Sequence, residues 1–551
     1  MKRRKEPSVL SEKTSRLLAF LLMTALFLAG LLTSTDYGLH YDEPAEQVIL
    51  RENLKEYAYQ LWGDGSEALR YYNSLGIRRI SESEERDHGQ SAFYPAAPLL
   101  ALAERSPDTF TTLWHAYTWL WFMAGVLAIY GFGRDMGWSR AISCAAALLY
   151  YLAPRFFAEG HYNNKDVVLL SLVLLVLWIG LRLLRKPGFA NGLGFSLLGA
   201  VSANTKIAGF LPWGLVAIAA LIRTTARREW NARLRCIAVT TAAGFCLFYA
   251  LLTPALWNDP ARHVAYLLQN AANFSRWTGV IIYRGIRVNQ QIAPIPRLYL
   301  PVMMALTLPL YTLPLFLVGQ WHAFRSAISA IARHGISALK DERRLMLLCL
   351  TMCWFLPLGY AVWARPIVYN GWRHFYFAYA GIALLAGHGM AWMAEWPLKL
   401  KRAATALLCL CFTLSAIGIA LNHPFQYGYY NLLAQKNAAT DMELDYWGVS
   451  SVNAMKRLSS ANSGRNEGLP LVIGSRDNMS FLGLSNGYAV LPAGIRRRLT
   501  VSGDGNAPYL FYNTTYALIY GVPEPDGYRE LLRIESYGNI LSVVYERILP
   551  D

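Results

Sequence analysis

Residues 40–44 read His-Tyr-Asp-Glu-Pro, which puts two adjacent carboxylates just ahead of a proline. Pro44 suits the first turn of a helix, and a single acid before it is enough to cap the free amides there. The second acid makes other chemistry available, because a carboxylate partly withdrawn from water and flanked by charges can take a proton from a hydroxyl. Burial and neighbours are expected to raise the proton affinity of Asp42 for that role, with Glu43 beside it. Residues 158–166, AEGHYNNKD, end in Lys165 and Asp166, and no further acid follows until Glu229. Capping also accounts for Asp166 taken alone. Set beside Asp42, with His161, Asn163, Asn164 and Lys165 near it, Asp166 would form the floor of a polar cleft.

Two further segments add cations. Lys206, in ANTKIAG, interrupts a hydrophobic block, where an ammonium costs several kcal/mol unless it is paired or hydrated. It either snorkels to the membrane interface or receives a phosphate at headgroup level. The segment YNGWRHFYF at 369–377 contributes Arg373 and His374. Arg373 reads as a salt bridge or aromatic stack, or as a second phosphate-seeking cation. Tyr41, His161, Asn163 and His374 complete the candidate cleft.

These residues must be positioned by membrane helices. The 551 residues are 54% apolar and only 16% charged, with a mean hydropathy of +0.24. An ordinary soluble enzyme, with about 25% charged residues, is excluded. Apolar runs long enough to cross a bilayer occur near 17–35, 111–132, 141–157, 167–184, 236–254, 298–320, 345–363, 375–394 and 403–421. Lys and Arg of short loops stay on the cytoplasmic side. The clusters Lys2–Lys5, Arg134/Arg140, Arg182–Lys186, Arg223–Arg235, Arg325–Arg344 and Lys399–Arg402 all fall inside only if residues 192–222 cross twice, as two short helices meeting at Asn204, Thr205 and Lys206. The +16 charge is therefore mainly topology, and a nucleic-acid partner is not expected.

The expected fold is mainly α: a polytopic protein of about 11 transmembrane helices, with amphipathic helices on its outer face and a small C-terminal α/β unit. Residues 1–421 form the membrane part, including a first outer loop at 36–110, and 422–551 form the extracytoplasmic tail. Pro44 opens a helix whose Leu50, Leu54, Tyr57, Ala58 and Leu61 make an apolar stripe opposite Arg51, Glu52, Lys55 and Glu56, as in a helix lying on a membrane. In the tail, the patterns predict a helix near 441–459, strands at 470–474, 498–502 and 507–512, a helix near 526–534 and a strand at 540–547. All seven cysteines fall in or beside spans, so no disulfide framework is expected. The N-terminal apolar stretch reads as an uncleaved anchor.

Acids and phosphate-seeking cations on one outer face point to a lipid phosphate carrying a transferable group. If that group is a sugar, phosphate leaves as a stabilised anion, one base activates the acceptor hydroxyl, and the anomeric centre inverts. At this level the chain resembles the type C membrane glycosyltransferases. The likeness rests on the acid pair after the first span, Lys165-Asp166, Thr205-Lys206 and WRHFYF. It is nearest to family 39, which holds protein O-mannosyltransferases and bacterial aminoarabinose transferases. The tail segments HPFQYGYYN at 423–431 and LDYWG at 444–448 are similar to bacterial members.

The resemblance implies a polyprenyl-phosphate-linked sugar donor, a lipid, glycan or protein acceptor, and work at the extracytoplasmic side of a cytoplasmic membrane. It also implies Asp42 as base, Asp166 as second carboxylate, and Lys206, Arg373 and Lys165 near the donor phosphate. No cofactor is certain. A divalent cation stays open, with His40, Glu43 and His263 as ligands from separate outer segments. The rival reading is a transporter or lipid flippase with a polar cavity at Lys206.

Overall fold

The computed structural model describes residues 11–272, 279–461 and 470–548; the basic run Lys2–Lys5 lies outside them. Among the described residues, seven helices are long and apolar enough to cross a membrane: Glu12–Thr33, Pro107–Met136, Asp166–Arg185, Ile207–Arg227, Ala232–Leu252, Glu342–Ala364 and Leu398–Leu421. Two helix pairs meet that requirement only jointly. Arg140–Tyr151 and Pro154–Tyr162 are bent by 70°, and Tyr299–Thr307 and Thr312–Lys340 by 116°. Pro154 and Pro309 lie at these breaks, where a missing amide interrupts the helical ladder.

The other two apolar segments form helices of 17 and 15 residues, Phe189–Thr205 and Tyr379–Met393. They rise about 26 and 22 Å, short of a hydrocarbon layer about 30 Å thick. The first stops at Lys206, followed by the 3-10 turn Ile207–Gly209 and the helix Phe210–Arg227. Residues 192–222 thus hold two helices meeting where the sequence places their junction.

Surroundings, rather than composition, separate the apolar helices. Asp166–Arg185 is 78% buried over its most apolar window and forms the centre of the bundle, whereas Leu398–Leu421 is 6% buried. The exposed Leu407, Leu410 and Leu414 of the latter make an apolar outer face suited to lipid. The chain is thereby a multi-pass membrane protein. Helices Thr312–His334 and Tyr379–Met393 approach closely at Gly319 and Gly389, where a Cβ would collide with the carbonyls of Leu385 and Leu315.

The long helix after Pro44, Glu43–Trp62, departs from the amphipathic reading. It buries Glu52 and Glu56 and exposes Leu61 and Trp62. Buried acids need partners. Arg78 Nε donates to Glu52 at 2.7 Å, while Ser81 and Asn258 Nδ2 donate to Glu56.

Among the described residues, seven strands form two sheets. β1 (Val280–Tyr283) and β2 (Ile286–Asn289) make a hairpin turned at Arg284 and Gly285, both at positive φ. β3 (Leu471–Gly474), β4 (Leu499–Val501), β5 (Tyr509–Asn513), β6 (Tyr528–Ser536) and β7 (Asn539–Arg547) lie in the order β4-β3-β5-β7-β6. β3 is parallel to both neighbours, and the remaining pairs are antiparallel.

The predicted helix near 526–534 is instead β6. Tyr537 and Gly538, at φ 49° and 75°, close a tight hairpin that pairs it with β7 and overrides its Leu/Glu/Arg-rich pattern. The helix predicted at 441–459 starts later, at Ser450, after Gly448 turns the chain at φ 67°. One hydrophobic core runs without a break from Trp119 and Leu170 among the helices to Tyr427, Trp447 and Val544 in the tail.

Candidate active site

Four segment ends meet at one end of the bundle. Asp42 precedes the helix Glu43–Trp62 and makes no side-chain cap there. Its Oδ2 accepts a 2.8 Å hydrogen bond from Arg373 Nη1. Asp166 is the first residue of Asp166–Arg185, and Asn163 Oδ1 accepts from its amide at 2.8 Å, so the Asp166 side chain is not used at the helix start. The Asp166 carboxylate is left for the cations: Oδ1 accepts from Lys206 Nζ, and Oδ2 lies 3.8 Å from Arg373 Nη1. Lys165 Nζ donates to Glu46 Oε1 at 2.8 Å, and Gln90 Nε2 donates to Glu46 Oε2. Arg373 therefore bridges the two carboxylates that sequence reading paired, and its guanidinium carbon lies over the rings of Tyr369 and Trp447, 4.3 Å from each centroid.

This network floors a cavity of about 850 Å³ lined by Asp42, Glu46, Lys165, Lys206, Arg373 and His374. One part of its wall is apolar, with Leu211, Leu267, Leu356, Ile367 and Phe377, and another carries Glu52, Arg78, Glu85, Asp87, His88 and Asn270. The Asp42 side chain keeps 45% exposure, whereas that of Asp166 keeps 2%. Asp42 is the carboxylate a substrate can reach.

Burial opposes charge on Asp42, but Arg373, His40 and Lys165 outweigh it and hold its carboxyl below the ordinary value. This reverses the expected rise in proton affinity. His374 is held well below the ordinary imidazole range by burial and by Lys206, Arg373 and Lys165, so it presents a neutral ring to the cavity.

Several expected cleft residues lie elsewhere. Glu43 is fully buried behind Asp42, its Oε2 3.1 Å from His115 Nε2 and 3.8 Å from His40 Nε2. Tyr41 packs edge-on against Tyr516 of the tail, and its amide donates to Trp447 O. His161 is stacked between Tyr37 and Trp119, with its ring nitrogens facing the carbonyls of Phe157 and Gly30. Asn163 is buried and donates to Glu159. None of these four lines the cavity.

The proposed metal ligands are not gathered either. His263 has Asp87 and Arg86 as its charged neighbours, away from the His40–Glu43 pair. Among the described residues, the metal-type side chains that do gather are Glu85, Asp87 and His88, with ligand atoms within 4.8 Å of one another. That donor set suits a divalent cation by type. Part of it is already satisfied internally, by His88 against Glu85 at 2.6 Å and Asn270 against Asp87.

Sequence reasoning missed three residues behind the site. Glu159 accepts from Asn163, Tyr376 and Tyr446, which joins the Asp166 turn, the 3-10 helix Arg373–Ala378 and the tail. Glu443 and Trp447 reach the same region from the tail. A signal was present for the last two: DMELDYWG sets acids among apolar and aromatic neighbours, a pattern that buries carboxylates and obliges them to find donors.

No protein-family model matches the chain, and no curated protein matches it. Among solved structures, it is similar to ArnT from Cupriavidus metallidurans in the apo state, with a TM-score of 0.47 and 12% identity over 97% of this chain and 98% of that one. It is also similar to ArnT from Cupriavidus metallidurans bound to undecaprenyl phosphate, with a TM-score of 0.42 and 14% identity over 95% and 97%.

Proposed function

We propose that the chain is an inverting glycosyltransferase that moves a sugar from a polyprenyl-phosphate donor to an acceptor hydroxyl at the outer face of the membrane. The observation that carries this reading is the meeting of Asp42, Arg373 and Lys206 on the floor of one cavity with a large apolar wall. A sugar linked to a lipid phosphate has the matching parts: an apolar chain for the walls, an anion for the cations, and an anomeric carbon between phosphate and base. Lys206, Arg373 and Lys165 hold the phosphate and stabilise the charge that grows on it as the glycosidic bond breaks. Asp42 takes the proton of the attacking hydroxyl, whose oxygen bonds to the anomeric carbon from the face opposite the phosphate. Phosphate that draws Arg373 toward itself loosens its hold on Asp42 and raises the proton affinity of that carboxylate when the donor is in place.

The test is Asp42→Asn in the full-length protein, with loss of polyprenyl-phosphate sugar from a host lipid extract followed by mass spectrometry. We expect normal abundance in the membrane, retained binding of polyprenyl phosphate, and transfer slowed by roughly a hundredfold or more, as for loss of a general base. Transfer at the wild-type rate would remove Asp42 as base, and a lipid that changes leaflet without losing its sugar would favour the flippase reading.

A further inference from the structure

Glu443 belongs to the tail, yet its bonds go to the loop that carries Arg373. It is fully buried. Its Oε1 accepts from the amide of Ile282 at 3.0 Å and from Asn370 Nδ2 at 2.8 Å, and its Oε2 accepts from the amide of Gly371 at 3.2 Å. Gly371 sits at φ 67° two residues before Arg373, so the direction of its amide is tied to the path the chain takes into the 3-10 helix Arg373–Ala378. Tyr430 fixes the other side by donating its hydroxyl to Glu443 O at 2.9 Å.

Four residues further on, Trp447 covers the Arg373 guanidinium, and Tyr446 donates to Glu159 Oε1, which also accepts from Tyr376 in the Arg373 helix. The tail thus grips the Arg373 segment before, over and after the arginine. A buried carboxylate is costly unless donors surround it, and three neutral N–H groups from two other segments meet that need here. Removing the charge loosens the segment those donors belong to.

We propose that Glu443 is a positioning residue for Arg373, and that the tail segment 443–447 is part of the donor-phosphate site. This rests on reading the cavity as a polyprenyl-phosphate-sugar site. Burial pushes the Glu443 carboxyl up to about 7. The other titratable groups around it are Arg155, Tyr299, Tyr430 and Tyr516. Oε1 already takes two donors, so a proton added to the carboxylate goes to Oε2 and displaces the Gly371 amide. Donor-phosphate affinity in the wild type then weakens as pH falls through about 7.

The experiment compares full-length wild type with Glu443→Gln, Glu443→Asp and Asn370→Ala, reconstituted in nanodiscs and titrated with a C55 polyprenyl phosphate from pH 6 to 8.5, alongside transfer kinetics. For Glu443→Gln we expect Kd and donor KM raised about tenfold at pH 8, the scale of one lost hydrogen bond to a charged group, with kcat within about threefold. The difference between the wild-type and Glu443→Gln curves should also shrink as pH falls through about 7. The ligand's own second proton, lost near about pH 6, affects both proteins alike, so their difference reads Glu443. Glu443→Asp should recover part of the affinity, and Asn370→Ala should fall between.

A folded Glu443→Gln protein with wild-type Kd and pH profile overturns the proposal. If that variant does not fold, unchanged Kd and KM in Asn370→Ala do so. Wild type that fails to bind polyprenyl phosphate at all overturns the donor reading itself, an outcome distinct from tight binding that no variant alters.

Discussion

Arg373→Lys keeps the charge and removes the shape. One guanidinium touches Asp42 at 2.8 Å, approaches Asp166 at 3.8 Å, and lies against Tyr369 and Trp447 at 4.3 Å each. A lysine ammonium is a point charge on a flexible stem and cannot lie flat between two rings while serving two acids. The two ring contacts are worth about 1 kcal/mol each at a partly desolvated site. The acid contact forgone is left out, because the phosphate competes with Asp42 for this cation. The ring contacts together, about 2 kcal/mol, correspond to roughly thirtyfold in kcat/KM for the donor. Most of it should appear in donor KM and in the Kd for polyprenyl phosphate, because the charge that meets the leaving phosphate remains. Isothermal titration and steady-state transfer on the same preparation separate the two. A Kd within threefold of wild type would refute the claim that the planar, stacked guanidinium holds the phosphate.

Asp166→Asn should abolish most transfer while leaving the protein folded, since the Asp166 carboxylate makes no cap and its amide is held by Asn163; near-normal turnover would leave Asp166 without a role in the chemistry. His161→Phe keeps the stack on Tyr37 and Trp119 but loses the contacts to the carbonyls of Gly30 and Phe157. It should cost about 1 to 2 kcal/mol of stability, read by thermal unfolding in detergent, without moving donor KM. Burial pushes Glu443 up to about 7 and Asp445 up to about 6, against ordinary values of 4.5 and 3.8. The folded chain therefore binds more protons than the unfolded chain between those limits, and stability falls as pH rises through that window. The wild-type Tm minus that of Glu443→Gln should fall from pH 5 to pH 8; a difference that rises would contradict the sign.

Residue types made Asp42, Asp166, Lys206 and Arg373 visible in the sequence, but their meeting depends on where each helix stops. The choice between cap and functional acid at Asp166 had a local answer in NNKD: Asp166 is already the first helical residue, and its amide donates to Asn163 three residues ahead. The two histidines were harder, since nothing local says that His161 points into packed aromatics while His374 faces the cavity. Glu52 and Glu56 read as a solvated face because their partners, Arg78, Ser81 and Asn258, come from other segments. DMELDYWG hints that Glu443 is buried but not what it holds, its donors lying at 282, 370 and 371. β6 has a helical pattern and becomes a strand because Tyr537-Gly538 returns the chain onto β7. For the histidines and the buried glutamates the deciding contact is non-local.

A common cause brings the four charges to one level. Asp42 precedes a helix, Asp166 begins one, Lys206 fills the gap between two, and Arg373 begins a 3-10 turn. In a bundle surrounded by lipid, ionised side chains are tolerated at the ends and breaks of helices, where a protein-lined cavity replaces hydrocarbon, and excluded from their lipid-facing middles. Once confined there, acids and bases neutralise one another: Arg373 with Asp42 and Asp166, Lys206 with Asp166, Lys165 with Glu46. A phosphate entering this floor competes with carboxylates for each cation it engages. In the proposed reaction that competition is useful, because the cation shared with Asp42 is the one that must turn toward the phosphate. Until it does, Asp42 is held as a weak base, and a hydroxyl that arrives before the donor meets a carboxylate poorly able to activate it.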